Sequence, residues 1–464
     1  MTPADDVVAA PSLKEATRVW ARIGCLSFGG PAGQIALMHK VIVEEKRWIS
    51  EERFLHALSY CMLLPGPEAQ QLATYIGWLM HGIRGGLVAG LLFILPGFAV
   101  ILALSGLYAY FQDATWLSAL FFGLKAAVLA IVVEALLRLA RRALTSRFHH
   151  YVAAASFLVL FLLNLPFPLV VILAGAAGFA RIRYRQRNDP PAHPARRPYF
   201  QPLTTHSIAK PLIVLVFWVL VWQSPLLLVR SLDAPADLIA ETLTGETNVF
   251  GAVFVFFSKM AVITFGGAYA VLSYVAQVAV GQYAWLKPGE MLDGLALAET
   301  TPGPLVLVLC FVGFLAGFRN PLVMAPLAGG LLGASLAAWA TFVPSFIWIF
   351  AGAPFIEKLR DNATLSAAMS AITAAVVGVI LNLALWFGLH VLFAEVGRVA
   401  LLTRGGGLPL VSLAWPEWRT LDVAALGLFL SACVLLFRFK VGIVKILALC
   451  ALAGVLVKAG EIFL

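Results

Sequence analysis

Charge is scarce in this chain of 464 residues. Only 12% are Asp, Glu, Lys or Arg, while 61% are hydrophobic, and the mean hydropathy is +0.91. A soluble domain carries about 25% charged residues, so this composition excludes an ordinary soluble fold and points to a polytopic membrane protein. Cysteine is scarce too. Cys25, Cys61, Cys310, Cys433 and Cys450 are scattered through apolar sequence. They form no CxxC and no Cys/His cluster, and read as core packing without metal or disulfide. His39, His56 and His81 lie near loops and His149-His150 in a basic patch, so none is assigned to a metal. There is no GxxxxGK[ST] loop and no zinc-protease motif, and Gly405-Gly406-Gly407 reads as a loop with no phosphate to cradle. No cofactor is expected. A cleavable signal peptide is not expected either: the N-terminus is polar, and Arg18 and Arg22 interrupt its first apolar stretch. The net charge of +9 sits in loops. It reads as membrane topology and anionic lipid, not nucleic acid, because no basic-aromatic interleaving accompanies it.

What the chain does have is repetition. Phe28-Gly29-Gly30 returns 237 residues later as Phe265-Gly266-Gly267. The same shift carries Trp48 onto Trp285 and Pro65-Gly66-Pro67 onto Pro302-Gly303-Pro304. Beyond residue 80 the offset becomes 248, and Gly82, Gly85, Pro96 and Phe98 map onto Gly330, Gly333, Pro344 and Phe346. The second copy therefore carries 11 extra residues after its Pro-Gly-Pro. The repeated landmarks are helix breakers inside apolar sequence, and duplicated, broken membrane helices are the signature of a secondary transporter.

The expected organisation has four parts. Residues 12–145 form the first transmembrane repeat, and 146–247 a connecting hairpin, a basic linker and a single crossing span. Residues 248–392 form the second repeat, and 393–464 a loop and two further spans. Within these, runs at 86–110, 116–137, 211–229 and 366–389 are each long enough to cross a hydrocarbon core of about 30 Å. Residues 1–11 read as disordered and 181–205 as a polar linker. Ser12 opens the first helix, and Ser50 caps a helix with an acidic first turn at Glu51 and Glu52. Arg138, Arg141, Arg142 and Arg147, and six arginines between 181 and 197, mark cytoplasmic loops. The hairpin returns to its own side and 211–229 crosses once, so an odd number of crossings separates the copies. Lys358 and Arg360 then fall inside while Asp113 falls outside, in agreement with inversion. The expected fold is an all-α polytopic membrane protein. Its two inverted-topology repeats bring broken, re-entrant helices together near the membrane midplane.

Broken helices at membrane depth leave backbone amides that must be buried in protein or face a polar cavity. The half-helix after each Pro-Gly-Pro points its free N–H groups at that place, which favours an anion. A tetrahedral oxyanion suits two such ends converging from opposite sides. Arg22 and Lys259 lie six residues before Phe28 and Phe265, so the repeat preserves a positive charge there; Lys125 lies within its own span, where its counterpart is Thr373. Each is a candidate for the substrate. The competing readings are snorkelling, or an acidic partner such as Glu134 or Glu299. Ser27 and Thr264 precede each Phe-Gly-Gly, and their hydroxyls either donate to substrate or cap the local backbone. Gln70 and Gln71 share a turn with Glu68, and Glu299, Thr300 and Thr301 precede the second break. Glu68 and Glu299 are the candidates for proton coupling, because a desolvated carboxylate titrates nearer neutrality. For Glu68, partnership with the helix dipole is the alternative.

Several segments carry a resemblance. They are Phe28-Gly29-Gly30-Pro31-Ala32-Gly33-Gln34-Ile35-Ala36, Glu45-Lys46-Arg47-Trp48, and Leu63-Leu64-Pro65-Gly66-Pro67-Glu68-Ala69-Gln70-Gln71-Leu72-Ala73. They resemble the chromate ion transporter family in its long, two-domain form. The resemblance implies a bacterial inner-membrane carrier that expels chromate, draws on the proton motive force and confers resistance. Its motif residues fall on Phe28, Gly29, Gly30, Pro31, Pro65, Gly66, Pro67, Glu68 and Gln70, and on Phe265, Gly266, Gly267, Pro302, Gly303 and Pro304. The copies differ where Pro31 becomes Ala268 and Glu68 becomes Leu305. The expected partners are chromate, with sulfate as a competing or exchanged anion, protons and the lipid bilayer; a homodimer stays open. A general sulfate-type carrier, a passive anion channel and a membrane reductase are the competing readings, and the lack of a cofactor motif weighs against the last.

Overall fold

The computed structural model describes residues 11–463 except 29, 113, 164, 189–208, 232–247, 266–267, 353–362 and 404–408. Sixteen α-helices account for most of the described chain. Asp113, the acidic residues Asp233, Asp237, Glu241 and Glu246, Lys358 and Arg360, and Gly405 to Gly407 lie outside the described residues, as do residues 1–10.

The two copies repeat their backbone closely. In the first, α1 (Leu13–Leu26) is followed by a break and α2 (Gly30–His39). A π-helical turn over Lys40–Glu45 and α3 (Glu51–Cys61) come next. Ser12 and Ser50 cap α1 and α3, accepting hydrogen bonds from the amides of Glu15 and Arg53 as their types predict. In the second copy, the same order appears as α9 (Val249–Ile263), α10 (Ala268–Gln277), a π-helical turn over Val278–Gln282 and α11 (Glu290–Thr300). Arg47 and Ala284, each two residues beyond its π turn, both adopt positive φ, 51° and 52°. Gly66 and Gly303 share a positive φ of 115° and 94°. Each pair is separated by the 237 residues of the sequence repeat.

Helix α4 (Glu68–Phe111) is 44 residues long but doubles back. At His81 and Gly82 the backbone leaves the helical region, with φ of −138° and +61°. Past this turn Gly85 lies against Gly77, and Gly90 against Thr74. The second copy builds the same hairpin from α12 (Val308–Arg319) and α13 (Pro326–Gly352), with Gly313 against Gly333 and Gly317 against Gly329. Its extra residues open the kink into a loop between the two helices. Glycines let the legs touch backbone to backbone, as membrane helix pairs commonly do.

Length then decides what crosses. At 1.5 Å per residue, α1 and α3, of 14 and 11 residues, reach only about 21 and 16 Å. Neither spans about 30 Å of hydrocarbon alone.

The chain clusters into two compact units, and each takes segments from both sequence repeats. Unit 1 comprises Met1–Tyr110, Pro198–Gly267 and Leu297–Leu359. Its core gathers Trp20, Ile23, Met38, Trp48, Phe54 and Phe93 with Phe346 and Phe350 of α13. Helix α8 (Ala209–Ser231) lies along α13, where Trp218 stacks on Phe346 and the Trp222 indole donates to the Ala340 carbonyl.

Unit 2 comprises Phe111–Arg197, Ala268–Ala296 and Arg360–Leu464. Helix α5 (Thr115–Ala143) meets the C-terminal α16 (Ile443–Phe463) through Gly123 and Gly454. Helix α14 (Ala363–Leu392) packs on α6 (Arg147–Leu163) and α7 (Phe167–Asn188), with Gly178 against Ala367 and Gly378 against Ala153. Helix α15 (Val423–Phe437) also packs on α5, so the last two spans are integral to this unit.

Two expectations are corrected. The linker expected over 181–205 begins as helix, because α7 runs to Asn188. Its Arg and Gln residues are good helix formers, and Arg185 and Arg187 suit the negative end of the helix dipole. The loop expected after residue 393 contains an antiparallel hairpin, β1 (Val396–Thr403) and β2 (Pro409–Pro416). Among the described residues this hairpin is the one two-stranded sheet, and an isolated bridge joins Phe393 to Leu421.

Candidate functional site

The helix breaks of the two copies meet within unit 1. The Gly66 amide donates to the Thr264 carbonyl at 2.8 Å, and the Gly303 amide donates to the Ser27 carbonyl, also at 2.8 Å. Each Pro-Gly-Pro turn is thereby tied to the break before the Phe-Gly-Gly of the other copy. Reciprocal contact of this kind, i to j and j to i, is what a twofold relationship produces. It also satisfies backbone groups that a broken helix would leave open at membrane depth. Glycine is required at both turns because a side chain would be strained at their positive φ.

Two proline-containing helices, α4 and α13, flank the crossings. Gly97 of α4 lies so close to the Pro302 carbonyl that a β-carbon there would collide with it. Its repeat counterpart is Ser345 of α13, whose Oγ lies 3.4 Å from where a Gly66 β-carbon would stand. Gln71 Nε2 lies 3.0 Å from the same point and donates to the Pro65 carbonyl at 2.7 Å. On the other side, Gln34 Nε2 donates to the Gly303 carbonyl at 2.5 Å and to the Ser27 carbonyl at 3.4 Å.

The expected site residues divide into three groups. Pro65, Gly66, Pro67, Gln70, Thr301, Pro302 and Gly303 are all buried at or beside the crossings. Ser27 and Thr264 are buried there too, but their hydroxyls donate to the carbonyls four residues back, Ile23 and Met260. Thr301 likewise donates to the Ala298 carbonyl. Gly30 opens α2 with φ +70°, while Gly29, Gly266 and Gly267 lie outside the described residues. Glu68 is half-buried at the start of α4, and Glu299 is buried in the last turn of α11; both interact with neighbouring groups.

The cations stand apart. Arg22 and Lys259 are exposed on α1 and α9, in equivalent places. Lys125 is in unit 2, where its Nζ lies 3.1 Å from Oδ1 of Asp293. The acidic partner is Asp293; Glu134 instead pairs with Arg138. Asp293 is 6% exposed and Lys125 29%, so this ion pair is largely withdrawn from water.

Sequence reading passed over four polar residues that the structure makes prominent. Gln34, Asp293, Thr341 and Ser345 are all buried. For Thr341 and Ser345 a signal existed: at offset 248 they replace Phe93 and Gly97, so polar stands for apolar at two successive turns of one helix.

Residues 14–179 and 251–455, in both copies, match the family model described as "Chromate transporter". A chromate transport protein of Pseudomonas aeruginosa is 32% identical over 365 residues, 77% of each chain. A probable chromate transport protein of Synechococcus elongatus is 28% identical, covering 80% of this chain and 83% of its own. An uncharacterized transporter of Methanocaldococcus jannaschii is 24% identical over 82% of this chain and 86% of its own. No solved structure matches the chain. The duplicated breaks, the apolar helices that make this a multi-pass membrane protein, and the match through both copies lead to one assignment: the chain belongs to the chromate transporter family.

Proposed function

We propose that this protein is a secondary active transporter of the bacterial inner membrane that exports chromate from the cytoplasm, driven by the proton motive force, and so confers chromate resistance. The observation that carries this reading is the reciprocal joining of the two helix breaks at Gly66 and Gly303 in a chain of the chromate transporter family. Crossed broken helices at the interface of two repeats are where secondary carriers bind their substrates. The copies run in opposite directions through the membrane on this reading, with the arginine-rich ends of α5 and α7 in the cytoplasm. Glu68 and Glu299 carry the coupled proton, each beside one Pro-Gly-Pro turn.

The test is uptake of radiolabelled chromate by proteoliposomes of purified protein, with an imposed pH gradient and sulfate as competitor. Accumulation that follows the gradient and is weakly competed by sulfate supports a proton-coupled chromate carrier. Glu68→Gln or Glu299→Gln should then uncouple uptake from the gradient. Flux that sulfate abolishes at equal concentration identifies a general oxyanion carrier, and flux that only dissipates a chromate gradient identifies a channel. Loss of Cr(VI) in the presence of the protein would identify a reductase.

A further inference from the structure

The two crossings share a backbone but not a chemistry. Beside Gly66 stand Gln71, fully buried, and Ser345, 1% exposed. Gln70 precedes Gln71 in the chain and is fully buried, and Thr341 lies one turn before Ser345 on α13 and is 5% exposed. Both polar atoms of the Gln70 side chain, Gln71 Oε1, Thr341 Oγ1 and Ser345 Oγ have no hydrogen-bond partner among the described residues. Thr341 and Ser345 are four residues apart on α13 and so share a face. Their counterparts, Phe93 and Gly97, face Gly303: the Phe93 carbonyl and the Gly97 Cα lie 3.4 and 3.7 Å from where its β-carbon would stand. The counterparts of Gln70 and Gln71 are Leu307 and Val308. All four polar positions at one crossing are thus apolar at the other. Buried polar groups without partners are rare in native proteins, and a cluster of them calls for a specific explanation.

At the Gly303 crossing the one amide is already occupied. Gln34 Nε2 donates to two backbone carbonyls, leaving only its Oε1, an acceptor, which cannot hold an anion. At the Gly66 crossing donors remain: the Gln70 amide, the second amide hydrogen of Gln71, and the hydroxyls of Thr341 and Ser345.

We propose that the oxyanion binds at the Gly66 crossing alone, held by the neutral donors of Gln70, Gln71, Thr341 and Ser345, and that the Gly303 crossing is a structural clasp closed by Gln34 and Gly97. The proposal rests on the reading that this protein carries an oxyanion. Neutral donors suit a carrier, whose site must bind well enough to load yet weakly enough to release. A fixed, desolvated cation would hold a dianion too tightly.

The experiment compares wild type, Ser345→Ala, Gln70→Leu and Gln34→Leu. It measures the chromate KM in proteoliposomes, the chromate Kd of detergent-purified protein by calorimetry, and Tm. Losing a hydrogen bond to a charged group should raise Kd and KM about tenfold or more in Ser345→Ala and Gln70→Leu. Their Tm should hold or rise, because a buried group without a protein partner is removed. Gln34→Leu should lower Tm and leave Kd within about twofold. Ser345→Ala removes a single oxygen atom, which keeps the test open should Gln70→Leu fold poorly. Wild-type Kd and KM in Ser345→Ala and Gln70→Leu would overturn the proposal while leaving the carrier reading intact. So would a Gln34→Leu protein with unchanged Tm and a Kd raised as far as that of Ser345→Ala. A wild-type protein that neither moves nor binds chromate or sulfate would overturn the functional reading itself, and the site with it.

Discussion

At the Gly303 crossing, Gly97 seats itself against a backbone carbonyl and Gln34 ties two loose carbonyls together. At the Gly66 crossing, the same positions of fold carry a serine, a threonine and two glutamines with polar atoms left over. Duplication copied the requirements of the backbone: positive φ and helix breaks. It did not preserve the side chains that neither turn needs for its shape. Where two copies agree, the reason lies in folding. Where they disagree in polarity at buried positions, the reason lies in what one copy alone has to do.

Exchanging the equivalent residues should break this comparison most severely. Gly97→Ser installs the partner crossing's residue where its β-carbon meets the Pro302 carbonyl. A clash with backbone cannot be relieved by a rotamer change, so a loss above about 4 kcal/mol is expected, enough to abolish recovery of folded protein by size-exclusion chromatography. Ser345→Gly, the reverse exchange, should yield folded protein in normal amounts.

The next effect sharpens a contrast between units. Unit 2 pairs the lysine of α5 with Asp293, whereas the anion site proposed in unit 1 uses uncharged donors. Lys125→Met should destabilise by roughly 3 kcal/mol, because Asp293 loses its counter-ion in a buried place. The double variant Lys125→Met, Asp293→Leu should recover much of that loss in thermal unfolding.

Gly66→Ala and Gly303→Ala should each cost about 1–2 kcal/mol from their positive φ. Gly66→Ala should lie at the upper end, since its β-carbon would stand 3.0 Å from Gln71 Nε2, against 3.2 Å from Leu307 Cδ1 at Gly303. The smallest effects belong to Ser27→Ala and Thr264→Val, whose hydroxyls serve their own helices. Each should change stability by about 1 kcal/mol or less, and the chromate KM should stay within about twofold.

Much of the architecture was legible before any coordinates. The repeat, the breaks near Phe28 and Pro65, the serine caps and the positions of the long apolar helices all follow from local chemistry: helix breakers, capping hydroxyls and apolar runs. The residues near Gly66 were harder to find. Gln70 stood out beside a Pro-Gly-Pro turn, but Ser345 lies 279 residues away in sequence, and only tertiary packing brings it to Gly66. The partner of Lys125 was hidden for the same reason: Asp293 is separated from it by 168 residues. The β-hairpin escaped because its strands flank a triple glycine that reads as open loop. The helical start of the basic segment after 181 escaped because its arginines, read for topology, are also good helix formers.

The most direct test of the asymmetry is the chromate dissociation constant of Ser345→Ala set beside that of Gln34→Leu, measured on protein of verified fold. An increase of about tenfold or more is expected for Ser345→Ala, and a value within about twofold of wild type for Gln34→Leu. Equal affinities in the two variants, or the reverse order, would contradict it.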